Sequence, residues 1–312
     1  MSIKIKNQKF KIILKFGGEA LERSVYKVES EKDNKIYVLK KISILGLNEI
    51  EKSKISNEAK ILANINHENI VKLIDFHQDN ECFYILMEYC EGTDLGKFIL
   101  MYKNKKENIK ENIVCSITLG ICLGLEELHR NNIIHRDIKP ANIIVSDNYK
   151  IKIVDFGVSR KTSKNSTMTK YIGTSYYMAP ELIKGENYNN KVDIWSFGCV
   201  IYELLSLKLC FYDENLFSLY DKIVNKNYEY LNLNGYNPKW KDLIDLLLKK
   251  NYNQRPDIKE VHHLLEDIET IKIIKIENIL DFRLIGVSRM ANAEDFEERR
   301  KEMKDIFLRC KN

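Results

Sequence analysis

Apolar and polar residues alternate over short stretches near the start of the chain: FKIILKF (10–16), SVYKV (24–28), IYVLKKI (36–42), VKLIDF (71–76) and FYILMEY (83–89). They are rich in β-branched and aromatic residues, polar turns separate them, and they are predicted as five strands. Between the third and fourth lies NEIEKSKISNEAKILANI, with Ile50, Ile55, Ala59 and Leu62 on a helical period. That spacing predicts one helix inserted in a mostly antiparallel sheet.

Past residue 92 the pattern changes period. The segment NIVCSITLGICLGLEELH (112–129) is apolar on every side, and so is VDIWSFGCVIYELLS (192–206). Both are predicted as buried helices. WKDLIDLLLK (240–249) and DIKEVHHLLEDI (257–268) read as amphipathic helices, and YKNKKENIKEN (102–112) as a solvated loop or helix end. A β-rich first third followed by a helical remainder predicts an α+β fold in two lobes, a small N-lobe with one helix and a larger helical C-lobe. No internal repeat or Gly/Ser linker interrupts the chain.

Composition narrows the class. The 312 residues are 44% apolar and 30% charged, with only 13 Gly and 4 Pro, which excludes collagen-like and disordered chains. A formal net charge of +5 is mild for this length and gives no reason to expect nucleic acid as a partner. The seven cysteines are odd in number and lack C-x-x-C spacing, so free thiols in a reducing compartment are expected. The N-terminus carries no secretory apolar run, Ser2 replaces the glycine that myristoylation needs, and no stretch approaches 18 uncharged apolar residues. The expectation is a chain of the cytoplasm or nucleus with no membrane partner.

The chemistry concentrates in three motifs: His135-Arg136-Asp137-Ile138-Lys139-Pro140-Ala141-Asn142, Asp155-Phe156-Gly157 and Ala179-Pro180-Glu181. Each alone is a weak signal. In this order, between two apolar helices, they resemble the signature set of the eukaryotic-type Ser/Thr protein kinases. The resemblance covers about residues 8–268, with an N-lobe of about 8–89, a hinge at about 88–93 and a C-lobe of about 94–268. Residues 188–199 and 206–211 are similar to the NIMA-related branch.

The resemblance implies an ATP-dependent enzyme using Mg²⁺ or Mn²⁺. Phosphoryl transfer needs in-line positioning and neutralised phosphate charge more than covalent help from the protein. Asn142 and Asp155 supply the hard oxygen donors that suit Mg²⁺. Asp137 would accept or orient the substrate hydroxyl proton, and Lys139 would offset developing charge. His135 would be structural. Lys40 matches the family's strand lysine and Glu58 its helix partner, while strand alternation sends neighbouring Lys41 to the other face. The nucleotide slot would comprise Gly18, Val25, Val38, Met87, Ile144, backbone groups of Glu88 and Cys90, and Asp94 at the ribose or a basic substrate residue.

The family's glycine-rich loop is G-x-G-x-x-G-x-V, and this chain has Gly18-Glu19-Ala20-Leu21-Glu22-Arg23-Ser24-Val25. Two of the three glycines are replaced, which predicts weaker or slower nucleotide binding. A pseudokinase acting as a scaffold is therefore the rival class. A small-molecule kinase is a third reading, opposed by the segment around Thr174 and by the expected Glu181–Arg255 pair.

The resemblance further implies protein substrates bearing Ser/Thr, with Val158 tilting preference towards Thr. The loop 158–178 holds Thr162, Ser163, Ser166, Thr167 and Thr169. Thr169, phosphorylated by an upstream kinase or by the chain itself, would pair with Arg136 and order the loop; the alternative is a polar loop without phosphate. Asp193 would anchor the catalytic loop. Residues 269–312 form an extension with Phe296, Met303, Phe307 and Cys310 on one helical stripe, either a helix packed on the kinase domain or a dimerising or docking helix.

Overall fold

Strand alternation in the first third builds one antiparallel sheet of six strands, one more than the sequence pattern suggests. The computed structural model describes residues 2–5, 8–16, 23–155, 175–229, 231–233 and 235–268, without the side chains of Lys4, Arg23, Lys54 and Glu58. Gly18, Phe156, Gly157, Val158, the loop sites Thr162 to Thr169, Thr174 and the extension 269–312 therefore lie outside the described residues.

The strands are β1 (Ser2–Ile5), β2 (Gln8–Phe16), β3 (Arg23–Ser30), β4 (Ile36–Ser43), β5 (Leu73–Gln78) and β6 (Cys82–Glu88), in the order β1-β2-β3-β4-β6-β5. β1 is the addition. Its four residues, SIKI, alternate only twice, yet Ile5 is buried beside Phe10. Pairing fixes which face each residue takes. Val25 stands opposite Lys40, Lys40 opposite Ile85, and Val38 opposite Met87. One face thus carries Val25, Val38, Lys40, Ile85 and Met87, while Val28, Leu39 and Leu86 form a small outer core with Ile5 and Phe10. Lys41 goes to that outer face, with its ammonium 5.7 Å from the Tyr84 ring centre. A one-residue slip would exchange the two sets, and the two apolar cores forbid it.

Helix α1 (Glu49–Ala63) packs beside the sheet through Ala59 and Leu62. Asn48 opens it with a capping box: its side chain accepts from the Glu51 N–H at 2.9 Å, and Glu51 accepts from the Asn48 N–H at 3.0 Å. Such a cap is worth about 0.5–2 kcal/mol.

The C-lobe contains α2 (Leu95–Lys105), α3 (Glu111–Arg130), a 3₁₀ turn (Pro140–Asn142), α4 (Pro180–Lys184), α5 (Lys191–Ser206), α6 (Leu216–Asn225), α7 (Lys239–Leu247) and α8 (Ile258–Glu266). A small sheet of β7 (Thr93–Asp94), β8 (Ile143–Val145) and β9 (Ile151–Ile153) lies under the cleft. α2 begins just past the hinge expected at 88–93, and it ends inside the stretch read as a solvated loop or helix end. By length and composition α3 could cross a membrane, but Val114, Ile117, Ile121, Leu125 and Leu128 are buried in the core of the lobe. A helix that is apolar all round needs such surroundings.

Two attachments matter for the site. Residues 69–71 join β9: Ile153 N–H donates to the Asn69 carbonyl at 2.8 Å, and Val71 N–H to the Ile153 carbonyl at 3.0 Å. Arg255 reaches across the lobe to Glu181 through two bonds of 2.7 and 2.8 Å, and its Nε donates to the Lys249 carbonyl at 2.7 Å. The expected Glu181–Arg255 pair is therefore present, buried and bidentate.

Candidate active site

The catalytic loop follows α3 and is held by a single carboxylate. Asp193, in the first turn of α5, is fully buried. Its Oδ2 accepts from His129 Nε2 and from the His135 N–H, both at 2.9 Å, and its Oδ1 accepts from the Arg136 N–H at 2.8 Å. Burial alone would raise this carboxyl's pKa; the bonds from His129 and from the His135 N–H outweigh burial and hold it below the ordinary value. Arg136 has φ +63°, in the left-handed region. That conformation costs about 1–3 kcal/mol for a residue with a Cβ, and the bonds to Asp193 are what fix it.

The twist at Arg136 aims Asp137. The Asp137 N–H donates to His135 Nδ1 at 3.2 Å, and Lys139 Nζ lies 3.1 Å from Asp137 Oδ2. Asn142 Nδ2 donates to the Asp137 carbonyl at 2.8 Å, which leaves the amide oxygen directed away from the loop backbone. His135 is buried and holds β9's exit through its Nε2, 3.3 Å from the Val154 carbonyl. Burial pushes its pKa down, so it is neutral and acts as a brace. Val154 N–H also donates to the Asn142 carbonyl at 2.9 Å. The strand leading to Asp155 and the catalytic loop are thus one bonded unit.

Lys40 meets this unit from the N-lobe. It is 5% exposed on β4, and its Nζ pairs with Asp155 Oδ1. The sequence pattern pointed to Glu58 as partner, but the described contact is with Asp155, while the Glu58 side chain lies outside the described residues. Asp155 has φ +59°, another left-handed residue at the centre of the cleft. The donor set of Asn142 Oδ1 and the Asp155 carboxylate fits Mg²⁺, which takes few protein oxygens and shares the rest of its shell with water and phosphate.

The other slot residues divide by role. Val25 and Val38 are half-buried on the Lys40 face, Met87 is packed into the core behind them, and Ile144 lies half-buried on β8. The Glu88 side chain accepts from Lys152 Nζ at 2.7 Å and from the Lys72 N–H at 2.9 Å, tying the hinge to β9 and to the start of β5. Cys90 is half-buried, and burial raises its thiol pKa to about 11, so it is no nucleophile at neutral pH. Asp94 caps α2: it accepts from the Lys97 N–H and pairs with Lys97 Nζ, both at 2.9 Å.

Sequence reasoning missed Gly92. Its φ is +132°, and a Cβ there would lie 2.2 Å from the Val145 carbonyl oxygen. Only glycine lets the hinge pass this close to β8. The signal was present as a lone Gly between a strand and a capping Asp.

Comparison with known proteins decides the family. A protein kinase domain model matches residues 18–265, most of the chain. The chain belongs to the protein kinase family. The kinase domain is 34% identical over 255 residues to serine/threonine-protein kinase Nek1 of Mus musculus, covering 81% of this chain and 21% of that protein. It is 32% identical to serine/threonine-protein kinase Nek10 of Homo sapiens (78% and 22% covered) and 33% identical to probable serine/threonine-protein kinase nek2 of Dictyostelium discoideum (76% and 58% covered). The chain thus spans between about a fifth and three fifths of the length of these relatives. The names agree with the NIMA-related likeness of residues 188–211, and the two-lobed fold is the kinase fold.

Proposed function

We propose that this chain is an ATP-dependent serine/threonine protein kinase. One observation carries the reading: Lys40 from the N-lobe, Asp155 beyond β9, and Asp137, Lys139 and Asn142 from one bonded loop all converge on a single cleft. Five polar side chains from three separate segments have no structural need to meet there.

The residues act as follows. Lys40, anchored at Asp155, presents its ammonium to the phosphates of ATP. Asn142 and Asp155 would hold Mg²⁺, which when bound neutralises phosphate charge. The acceptor hydroxyl approaches Asp137, whose carboxylate orients it and takes its proton as the O–P bond forms. Lys139, 3.1 Å from that carboxylate, stabilises the negative charge developing on the transferred group. ADP leaves with the bridging oxygen.

Regulation by phosphate at Thr169 fits the position of Arg136, whose guanidinium lies 5.8 Å from the Tyr188 ring centre at the edge of the catalytic loop. A threonine preference from Val158, residence in the cytoplasm or nucleus, and dimerisation through 269–312 belong to the same reading. The scaffold reading rests on the two replaced glycines after Gly18.

Labelled ATP, Mg²⁺ and a generic Ser/Thr substrate test the proposal. Wild type should incorporate label, and Asp137→Asn should lose at least ~10²-fold of that rate. Equal labelling of both proteins would remove Asp137 from the mechanism. No labelling by either, with ATP still failing to raise the melting temperature, would establish the scaffold.

A further inference from the structure

Beside the cleft, the chain leaves large aromatic surface exposed. Phe217, in the first turn of α6, is 78% exposed, and Tyr212, in the segment that leads into the helix, is 52% exposed. The exposure is organised. The Tyr176 ring stacks on Tyr212 with centroids 6.0 Å apart and planes at 24°. Further on, the Tyr220 hydroxyl lies 3.3 Å from Ser175 Oγ. Along the chain Phe217 falls between Tyr212 and Tyr220, and three residues before Tyr220 it is on the same side of α6. The helix beneath it is firm. Leu219 and Ile223 are buried, and Asn215 accepts from the Phe217 and Ser218 N–H groups at 2.9 and 3.1 Å. Lys222 ties the approach by donating to the Tyr212 carbonyl at 2.8 Å and pairing with Asp213.

The patch is continuous with the catalytic apparatus. Ser196 Oγ donates to the Tyr177 carbonyl at 2.8 Å. Asp193, which holds the catalytic loop, lies one turn earlier on the same helix. The catalytic loop and residues 175–177 therefore hang from one turn of α5, and the aromatic surface runs from that segment onto α6.

We propose that Tyr176, Tyr212 and Phe217 form a docking patch for an apolar side chain, aromatic or branched aliphatic, of the protein substrate, several residues away from the acceptor hydroxyl. The inference rests on the kinase reading. Its occupant is a substrate rather than a second copy of the chain. Three aromatic side chains fall well short of the roughly 800 Å² per partner that a stable dimer buries, whereas one or two anchor residues of an extended segment fit them.

The test uses fluorescent peptides of about 20 residues, each with one acceptor Thr and a single Phe walked along an otherwise Ser/Gly/Ala sequence. Wild type and Phe217→Ser are compared on the full chain, with Tyr212→Ala as a second variant; Phe217 is exposed, so its thermal melt should be unchanged, and Tyr212→Ala should lose only the small stack on Tyr176. Expected is one window of Phe positions, away from the acceptor, at which wild type binds more tightly and shows a lower KM at constant kcat. In the variants that window should weaken about tenfold, with peptides lacking Phe unaffected. Superimposable profiles for wild type and variants would overturn the proposal, as would loss of a dimer in sedimentation on Phe217→Ser. Anisotropy reads binding without turnover. A wild type that binds in the window but phosphorylates nothing refutes the kinase reading alone; a wild type that phosphorylates these peptides without any window refutes the patch alone.

Discussion

Asp193→Asn changes one atom in the interior and should release the catalytic loop. The wild-type carboxylate receives three donors on two oxygens: His129 and the His135 N–H on Oδ2, and the Arg136 N–H on Oδ1. An asparagine that keeps its oxygen at the Oδ2 position turns its NH₂ towards the Arg136 N–H. That buried donor then has no acceptor, which costs ~1–3 kcal/mol. The two remaining bonds lose their charge and weaken from roughly 1.5–3 to roughly 0.5–1.5 kcal/mol each. The left-handed Arg136, held at a strain of ~1–3 kcal/mol, is then free to relax, which refunds part of the loss. The net expectation is a destabilisation of about 3 kcal/mol, within the 5–15 kcal/mol that a domain holds, so the variant folds.

Trp195 and Trp240 are both buried, so intrinsic fluorescence in a urea titration reports unfolding directly. Asp193→Ala, which orphans all three donors, should cost more than Asp193→Asn. The carboxyl pKa is held below its ordinary value, so its contribution is complete above that value and is lost only as pH falls through the lowered one. The deficit of Asp193→Asn should therefore stay constant from about pH 5 to 8 and shrink below about pH 4. Asp137 follows Arg136 directly, so kcat should fall about 10²-fold, the scale of a 1 Å misplacement. A stability loss under about 1 kcal/mol together with an unchanged kcat would refute the reasoning.

Three further outcomes follow from other parts of the molecule. Arg255→Met should cost ~3–5 kcal/mol by leaving Glu181 buried without its partner, and Glu181→Gln/Arg255→Met together should cost less than the sum of the two, as urea midpoints of the four proteins will show. Burial raises the Glu203 carboxyl to about 7, although the Tyr177 hydroxyl donates to it at 2.6 Å. A raised folded pKa contributes stability at low pH that is lost as pH climbs towards 7, so Glu203→Gln should flatten the stability profile above pH 4.5 and stabilise the chain by up to ~3 kcal/mol at pH 8. Gly92→Ala must force a Cβ against the Val145 carbonyl at φ +132°; nucleotide titration should show a raised KM for ATP, and the melting temperature should drop by several degrees for a cost of ~1–3 kcal/mol.

The sequence makes some of this legible because part of the chemistry is covalently adjacent. Asp137, Lys139 and Asn142 lie within one short run, and that run, followed in order by 155–157 and 179–181, carries the resemblance to protein kinases before any fold is known. Lys40 is legible by a different route, since period-two alternation settles that it, and not Lys41, shares a face with Val25 and Ile85. Local pattern fails where the pattern is short. β1 offers two isoleucines among lysines, and its strand exists because Ile5 finds Phe10 across the turn. α2 and α6 carry apolar residues at helical spacing, but Gly96 and the aromatic run at 211–217 disguise their starts.

Partner choice is harder still to read, because an atom's partner is set by distances that residue spacing does not contain. Asp94 illustrates this. As a residue type after the hinge it suggests a ligand contact, yet an aspartate just before a helix is also the residue that satisfies the first turn's N–H groups, and here it accepts from Lys97. Lys40 makes the point more sharply. The family pattern assigns its ammonium to Glu58, whose side chain lies outside the described residues, and the contact that is described is with Asp155, 115 residues away. Asp155 is also a carboxylate that suits a metal ion, so its pairing with Lys40 responds to whatever shares the cleft. A phosphate or a metal ion that claims either Lys40 or Asp155 alters the balance for the other, which couples closure of the two lobes to the chemistry of the site they enclose.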